Sequence, residues 1–300
     1  MIDEIPMTML QEYKKALKSL AVEEVFDLIF YRPVAFLFVK LIYRTPITPN
    51  QLTILSVFLG LFGGTCYAFG TPSAYLLGGV FYLLYNIIDC SDGQLARLQQ
   101  SGTRIGRILD GVADYIVSVA AYVGIGIGYA SGSAHPVLLW CLTAVAGFGN
   151  AVQSGLLDLY RNRFLDIALG RVSILEDEQH AFEQEFEQLK QQKGFLFQKS
   201  VIWIYLQYSS VQRRLTSRTG GGEEQFKVDP SLYVRKNRIL IHLWTYLGPT
   251  TQWTLLIVCS FADRLDVYLW GIGVVGNILA VIMSLVQRRA DVQLNLRGRR

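Results

Sequence analysis

Four carboxylates, Asp89, Asp92, Asp110 and Asp114, carry the chemistry of this sequence. Residues three or four apart on a helix share a face. Asp89 and Asp92 therefore project together from one helix, and Asp110 and Asp114 from the next. The connection 98–105 is short, so the two helices form an antiparallel hairpin on which the two pairs converge. Both segments are otherwise apolar. An ionised Asp at the centre of a membrane helix costs roughly 2.5–3.5 kcal/mol, and four of them demand compensation by bound cations. Hard oxygen donors select Mg2+, Mn2+ or Ca2+ over zinc. Four carboxylates suffice for two ions about 3.5–4 Å apart that clamp a phosphoryl oxygen during displacement. Cys90 adjoins Asp89, but neighbouring helix positions point about 100° apart, which gives it little weight.

Gly93, Ala96 and Gly106 remove side-chain bulk on or near the carboxylate face. A large flat ligand such as a nucleotide can then approach the backbone. The plainer alternative is a set of polar residues at helix ends, snorkelling to water. That reading suits a single Asp. It does not suit four at helical spacing on adjoining helices with small residues between them.

The elements that must position these groups are membrane helices. The chain has 300 residues, 51% of them hydrophobic, with a mean hydropathy of +0.30. The apolar residues come in blocks of spanning length. Six spans are expected, at 49–70, 74–97, 106–129, 136–160, 239–262 and 265–286. The fold class is thus all-α integral membrane, with an N-terminal interfacial helical segment over 1–44. Helices 1–4 of the membrane part lie within 45–160, a cytoplasmic helical insert covers 161–238, spans 5–6 fall within 239–286, and a basic tail occupies 287–300. In the N-terminal segment Val25, Leu28 and Ile29 alternate with Lys18, Glu23, Glu24 and Asp27, the pattern of an amphipathic helix lying at the interface. Residues 1–33 lack the short apolar core and cleavage site of a signal peptide. In the insert, Phe182, Phe186 and Leu189 fit a helix over 176–193, and 195–215 reads as an interfacial helix before the break at Gly220-Gly221-Gly222.

Basic residues set the orientation. The loops 71–73, 130–135 and 263–264 hold one Arg, Arg264, and no Lys. The opposite side collects Lys14, Lys15, Arg32, Arg44, Arg104, Arg107, the insert and the tail. Both termini and the carboxylates are expected on the cytoplasmic side. The net charge of +4 is this topology signal plus affinity for anionic headgroups, and nothing suggests a nucleic-acid partner. Cys66, Cys90, Cys141 and Cys259 lie in separate spans and read as apolar fillers.

The full string Asp89-x2-Asp92-Gly93-x2-Ala96-Arg97-x8-Gly106-x3-Asp110-x3-Asp114 resembles the signature of the CDP-alcohol phosphotransferase (phosphatidyltransferase) family at each of its eight fixed positions. Pro49-Asn50-x2-Thr53 is similar to a second element of that family, and the resemblance covers about 45–160, leaving the insert without a counterpart. It implies that Asp89, Asp92 and Asp110 hold Mg2+ or Mn2+, two ions, with Asp114 completing the site and acting as general base. Asp114 would take the proton of an acceptor hydroxyl that attacks the β-phosphorus of a CDP-linked donor, and CMP would leave. Gly93, Ala96 and Gly106 would pack against the cytidine nucleotide, with Arg97 steadying that end. Asn50 and Thr53 would contact the nucleotide, or else Thr48 and Asn50 begin a helix after a proline-rich turn.

Family members use either CDP-diacylglycerol with a polar alcohol (inositol, inositol phosphate, glycerol phosphate or serine), or CDP-choline or CDP-ethanolamine with diacylglycerol. Arg107, Arg161 and Arg163 are candidates for a phosphorylated acceptor, and equally for positive-inside anchors. The first alternative is slightly favoured by Arg161 and Arg163 at the end of span four. Gly248-Pro249-Thr250-Thr251-Gln252 either lines an acceptor pocket or is a proline kink with its freed carbonyls satisfied by the threonines. The resemblance also implies a homodimer, and Gly124-x-Gly126-x-Gly128 would permit close helix contact. A cation transporter is the competing class, since intramembrane carboxylates also mark ion paths. A membrane scaffold would leave the acidic cluster without a purpose.

Overall fold

The computed structural model describes residues 9–16, 22–102, 104–131, 133–169, 187 and 229–294. Among these the chain is helical, without strands. Its elements are α1 (Met9–Ala16), a π-helical turn (Asp27–Tyr31) leading into α2 (Arg32–Ile42), α3 (Pro49–Ala68), α4 (Pro72–Gln99), α5 (Arg104–Ala130), α6 (Pro136–Leu169), α7 (Pro230–Thr245), α8 (Pro249–Phe261), α9 (Leu265–Trp270), a second π-helical turn (Gly271–Gly276) and α10 (Asn277–Gln293). The helices expected over 176–193 and 195–215 lie outside the described residues. Two compact units are present, 1–154 with 245–278, and 155–244 with 279–300; each is taken by itself.

Five helical stretches are long and apolar enough to cross a membrane: Pro49–Ala68, Pro72–Gln99, Leu109–Ala130, Pro136–Leu169 and Leu265–Gln293. They correspond to five of the six expected spans. The expected span 239–262 is not among them, and the chain is broken there between α7 and α8. Pro249 lacks an N–H and its ring excludes the preceding helical turn, so it begins α8 as the first helical residue, after Gly248 in extended conformation. The carbonyls this frees are taken by nearby side chains. Thr251 Oγ1 donates to the Thr245 carbonyl at 3.2 Å and Gln252 Nε2 to the Leu247 carbonyl at 3.0 Å. This is the kink alternative for the Gly248–Gln252 run, with a glutamine joining the threonine.

Helix starts in the first unit are encoded locally. Thr48 caps α3, accepting from the Gln51 N–H, while the Gln51 side chain accepts from the Thr48 N–H at 2.9 Å, a reciprocal capping box. Pro49 and Pro72 occupy first-turn positions, and Thr71 caps α4. The 28 residues of α4 then run without interruption through Asp89 and Asp92. The helix ends at Gln100, whose left-handed backbone (φ 52°) turns the chain toward α5.

α3 packs between α4 and α5. The α3–α5 approach is backbone on backbone, because a Cβ on Gly124 would fall on the Gly64 carbonyl oxygen and one on Gly64 on the Ala120 carbonyl. Gly126 faces the Trp140 ring of α6. The glycines expected to permit a contact between copies are therefore engaged within the chain, and the homodimer has no support from them.

In the N-terminal segment, residues 25–42 are helical and two-faced. Glu23, Glu24 and Asp27 are buried, whereas Ile29 is 73% exposed and Leu37 and Leu41 are also exposed. The charged side points inward because it has partners there. Arg32 pairs with Glu23 at 2.7 Å and lies 3.7 Å from Asp27. Burial opposes the Arg32 charge, but these two carboxylates outweigh it and hold the guanidinium above its usual value. Glu24 accepts from the Thr251 N–H (2.9 Å) and shares the Thr251 hydroxyl proton (3.1 Å) with the Thr245 carbonyl, capping α8 from a distant part of the chain. Asp27 accepts from Thr250 Oγ1 at 3.2 Å. Replacing Glu24 with Ala leaves the first turn of α8 without this acceptor. Hydrogen bonds to a charged group contribute about 1.5–3 kcal/mol, so the thermal midpoint in detergent should drop by several degrees. An unchanged midpoint would show that the cap contributes nothing.

Candidate active site

The site is built on α3, α4 and α5 of the first unit. Asp89, Asp92 and Asp110 each offer a carboxylate oxygen, and the three lie within 4.8 Å of one another. Asp92 is buried, Asp89 and Asp110 are half-buried, and Asp114 is exposed. The cluster therefore grades from protein interior to opening. Three carboxylates so close without a cation would repel, while three hard oxygens suit Mg2+ or Mn2+ and offer nothing specific to zinc. The residues present thus fit a divalent ion. Asp114 stands outside the group of three, with Oδ1 accepting from the Tyr85 hydroxyl at 2.7 Å.

Thr53 has a definite place. Its hydroxyl lies one helical turn into α3 and donates to Asp92 Oδ2 at 2.5 Å, with the Pro49 carbonyl farther off at 3.3 Å. The capping box assigns the helix start to Thr48 and Gln51, while Asn50 is exposed in the first turn. Thr53 thus orients a carboxylate of the cluster. Partners behind the ligands commonly change metal affinity by about 10- to 100-fold. We expect Thr53→Val to weaken Mn2+ binding roughly 10-fold in a calorimetric titration; wild-type affinity would show that Asp92 holds its position unaided.

Gly93 is half-buried, and a Cβ there would sit 3.2 Å from an Arg97 guanidinium nitrogen. Arg97 Nε itself donates to the Ala16 carbonyl at 2.5 Å, the last residue of α1, where a cation complements the helix end. Ala96 and Gly106 are half-buried on α4 and α5. The Arg107 side chain lies outside the described residues. Arg161 and Arg163 belong to the second unit. There Arg161 pairs with Asp158 at 3.4 Å on the same helix, and Arg163 with the buried Asp291 at 2.9 Å.

Sequence reasoning passed over Tyr85, which is four residues before Asp89 and so on the carboxylate face of α4. That spacing is the signal by which it could have been found.

The description "CDP-alcohol phosphatidyltransferase" belongs to the family whose profile matches residues 46–161, a stretch that contains all four aspartates. Residues 46–161 are thus similar to a CDP-alcohol phosphatidyltransferase domain. Similar proteins include the "Bifunctional IPC transferase and DIPP synthase" of Aquifex aeolicus, 40% identical over 73 residues, covering 24% of this chain and 16% of that protein. The protein of the same description from Rubrobacter xylanophilus is 30% identical over 128 residues, covering 43% of this chain and 26% of that protein. The "Phosphatidylinositol phosphate synthase" of Corynebacterium glutamicum is 36% identical over 84 residues, covering 28% and 37%. The chain thus spans between 16% and 37% of the length of these curated relatives. The family match sits in residues 46–161. The helices that grip it from outside, α2 and α8, lie beyond the matched stretch.

Proposed function

We propose that this protein makes a phospholipid by transferring a substituted phosphate group from a CDP-linked donor, CDP-diacylglycerol, to the hydroxyl of a polar alcohol, releasing CMP. The observation that carries this reading is the meeting of Asp89, Asp92 and Asp110 oxygens within 4.8 Å inside a phosphatidyltransferase domain. Asp89, Asp92 and Asp110 hold the divalent ions, with Asp114 at their edge. Such ions neutralise charge that develops on phosphoryl oxygens. Asp114 accepts the proton of the acceptor hydroxyl as that oxygen bonds to the β-phosphorus. The bond from the β-phosphorus to the bridging oxygen breaks, and the electron pair leaves with CMP. Gly93, Ala96 and Gly106 leave room for the nucleotide, and Arg97 steadies that end of α4.

Inositol phosphate and inositol head the acceptor classes, because a relative named as a phosphatidylinositol phosphate synthase shares 36% identity with 84 residues of this chain; glycerol phosphate and serine follow. The chain crosses the membrane six times, 239–262 crossing despite its break. Both termini and the site face the cytoplasm, 1–44 rests at the interface, and 161–238 is a cytoplasmic insert. The asymmetry of basic residues between the two sets of loops supports this topology. The protein acts as a homodimer, as the family resemblance implies.

The test is CMP release by the purified full chain. The chain is given CDP-diacylglycerol, CDP-choline or CDP-ethanolamine with Mg2+ or Mn2+ and a panel of the alcohols above or diacylglycerol. Release with CDP-diacylglycerol and one alcohol, abolished by chelator, is the expected result. Release only with CDP-choline or CDP-ethanolamine would reverse donor and acceptor. No release with any pair would sink the reading.

A further inference from the structure

We propose that Tyr85 is a positioning residue for Asp114, fixing one carboxylate oxygen so that the other faces the acceptor hydroxyl. The proposal rests on the reaction given above and deepens it. Tyr85 is not among the eight fixed positions of the aspartate string, and neither spacing nor resemblance assigns it a part.

The geometry makes the hydroxyl a fixed point. Tyr85 is 1% exposed. Its ring meets Trp253 of α8 edge-on at 5.7 Å (79°) and Tyr82 of its own helix at 6.1 Å (80°). Tyr82 in turn stacks on Trp253 at 5.1 Å (16°) and on Tyr67 of α3 at 5.4 Å (2°). Two further hydrogen bonds pin this column, Tyr82 Oη to the Val117 carbonyl at 3.2 Å and Tyr67 Oη with Ser260 Oγ at 2.7 Å. A ring so enclosed cannot swing away.

Asp114 is exposed, and its carboxylate stands outside the group of three. A proton acceptor is useful only when aimed to within a fraction of an ångström. The 2.7 Å bond from Tyr85 to Oδ1 holds that oxygen in place, and the proton goes to Oδ2. α4 thereby supplies two ligands of the cluster and, one turn earlier, the clamp for the base on α5.

The test compares wild type, Tyr85→Phe, Asp114→Ala and the double variant as full chains in detergent. Phe keeps the ring column and removes the hydroxyl alone. With CDP-diacylglycerol, Mn2+ and the active alcohol, kcat of Tyr85→Phe should fall about 10- to 100-fold, the range of one hydrogen bond to a charged group. The donor KM and the Mn2+ concentration for half-maximal rate should stay at wild-type values. In the Asp114→Ala background the same change should have no further effect. A merely structural tyrosine would move donor KM and rate together and would act in either background. A wild-type kcat for Tyr85→Phe, or an undiminished loss in the double variant, overturns the proposal. A wild-type chain silent with every donor overturns the reaction instead. Thermal unfolding of the four proteins then still reads the contact: non-additive midpoints uphold the clamp, and additive midpoints overturn it.

Discussion

Asp114→Asn should cut turnover at least a hundredfold while leaving the nucleotide bound. Asn has the same shape, and its oxygen can still accept the Tyr85 hydroxyl now 2.7 Å from Asp114 Oδ1. What disappears is a group able to take a proton. Loss of general-base catalysis lowers rates by about 10²–10⁴-fold, so CMP release should drop by at least two orders of magnitude. Mn2+-dependent CMP binding, measured by calorimetry, should change less than about threefold, because Asp114 lies outside the three-oxygen group. Asp92→Asn is the contrasting variant. Asp92 is buried, belongs to that group and accepts from Thr53 at 2.5 Å. Its replacement should lose metal, nucleotide affinity and turnover together. If Asp114→Asn behaves like Asp92→Asn, Asp114 is a ligand and the base must be sought elsewhere.

Gly124→Leu should prevent folding. A Cβ at this position lands on the Gly64 carbonyl oxygen, and its immediate surroundings are α3 backbone rather than a movable side chain. Overpacking a core by movable side chains typically costs 1–3 kcal/mol; here two helices would have to separate. α3 also carries Thr53, which bonds Asp92, so the penalty reaches the site. We expect little or no monodisperse protein from detergent extracts. Gly155→Ala is the control, since its Cβ would meet nothing within 4 Å, and a helical Gly-to-Ala change gains about 1 kcal/mol. Normal recovery of Gly124→Leu would mean that α3 and α5 are farther apart than described.

These features differ in how plainly the sequence announces them. The aspartate string was legible because helical spacing alone puts each pair on one face, and the short hairpin brings three of the four together. The apolar blocks were legible by length for five spans. The block at 239–262 hid its break because hydropathy averages over a window, while a single proline imino group decides where α8 restarts. In the N-terminal segment periodicity revealed two faces but not their sense. Burying Glu23, Glu24 and Asp27 depends on Thr250 and Thr251, partners 223 and 227 residues away, and on Arg32 for the ion pairs. The glycines of α5 announced close packing without naming the partners, which are α3 for Gly124 and α6 for Gly126, both of the same chain. Arg163 was visible as a basic residue, but Asp291, which lies 128 positions later, was not.

The ring column has a practical bearing on where this protein can be cut. The homologous stretch 46–161 ends before Trp253 and Ser260 and begins after Arg32, whose carbonyl takes the Gln94 amide at 3.0 Å. An excised 46–161 fragment would therefore present the flanks of Tyr67, Tyr82 and Tyr85 to lipid or detergent and leave Gln94 unanchored. Chimaeras between relatives should transplant residues 22–42 and 249–261 together with the homologous stretch, because inheritance of the recognisable sequence alone does not carry the scaffold that keeps its aspartates aimed.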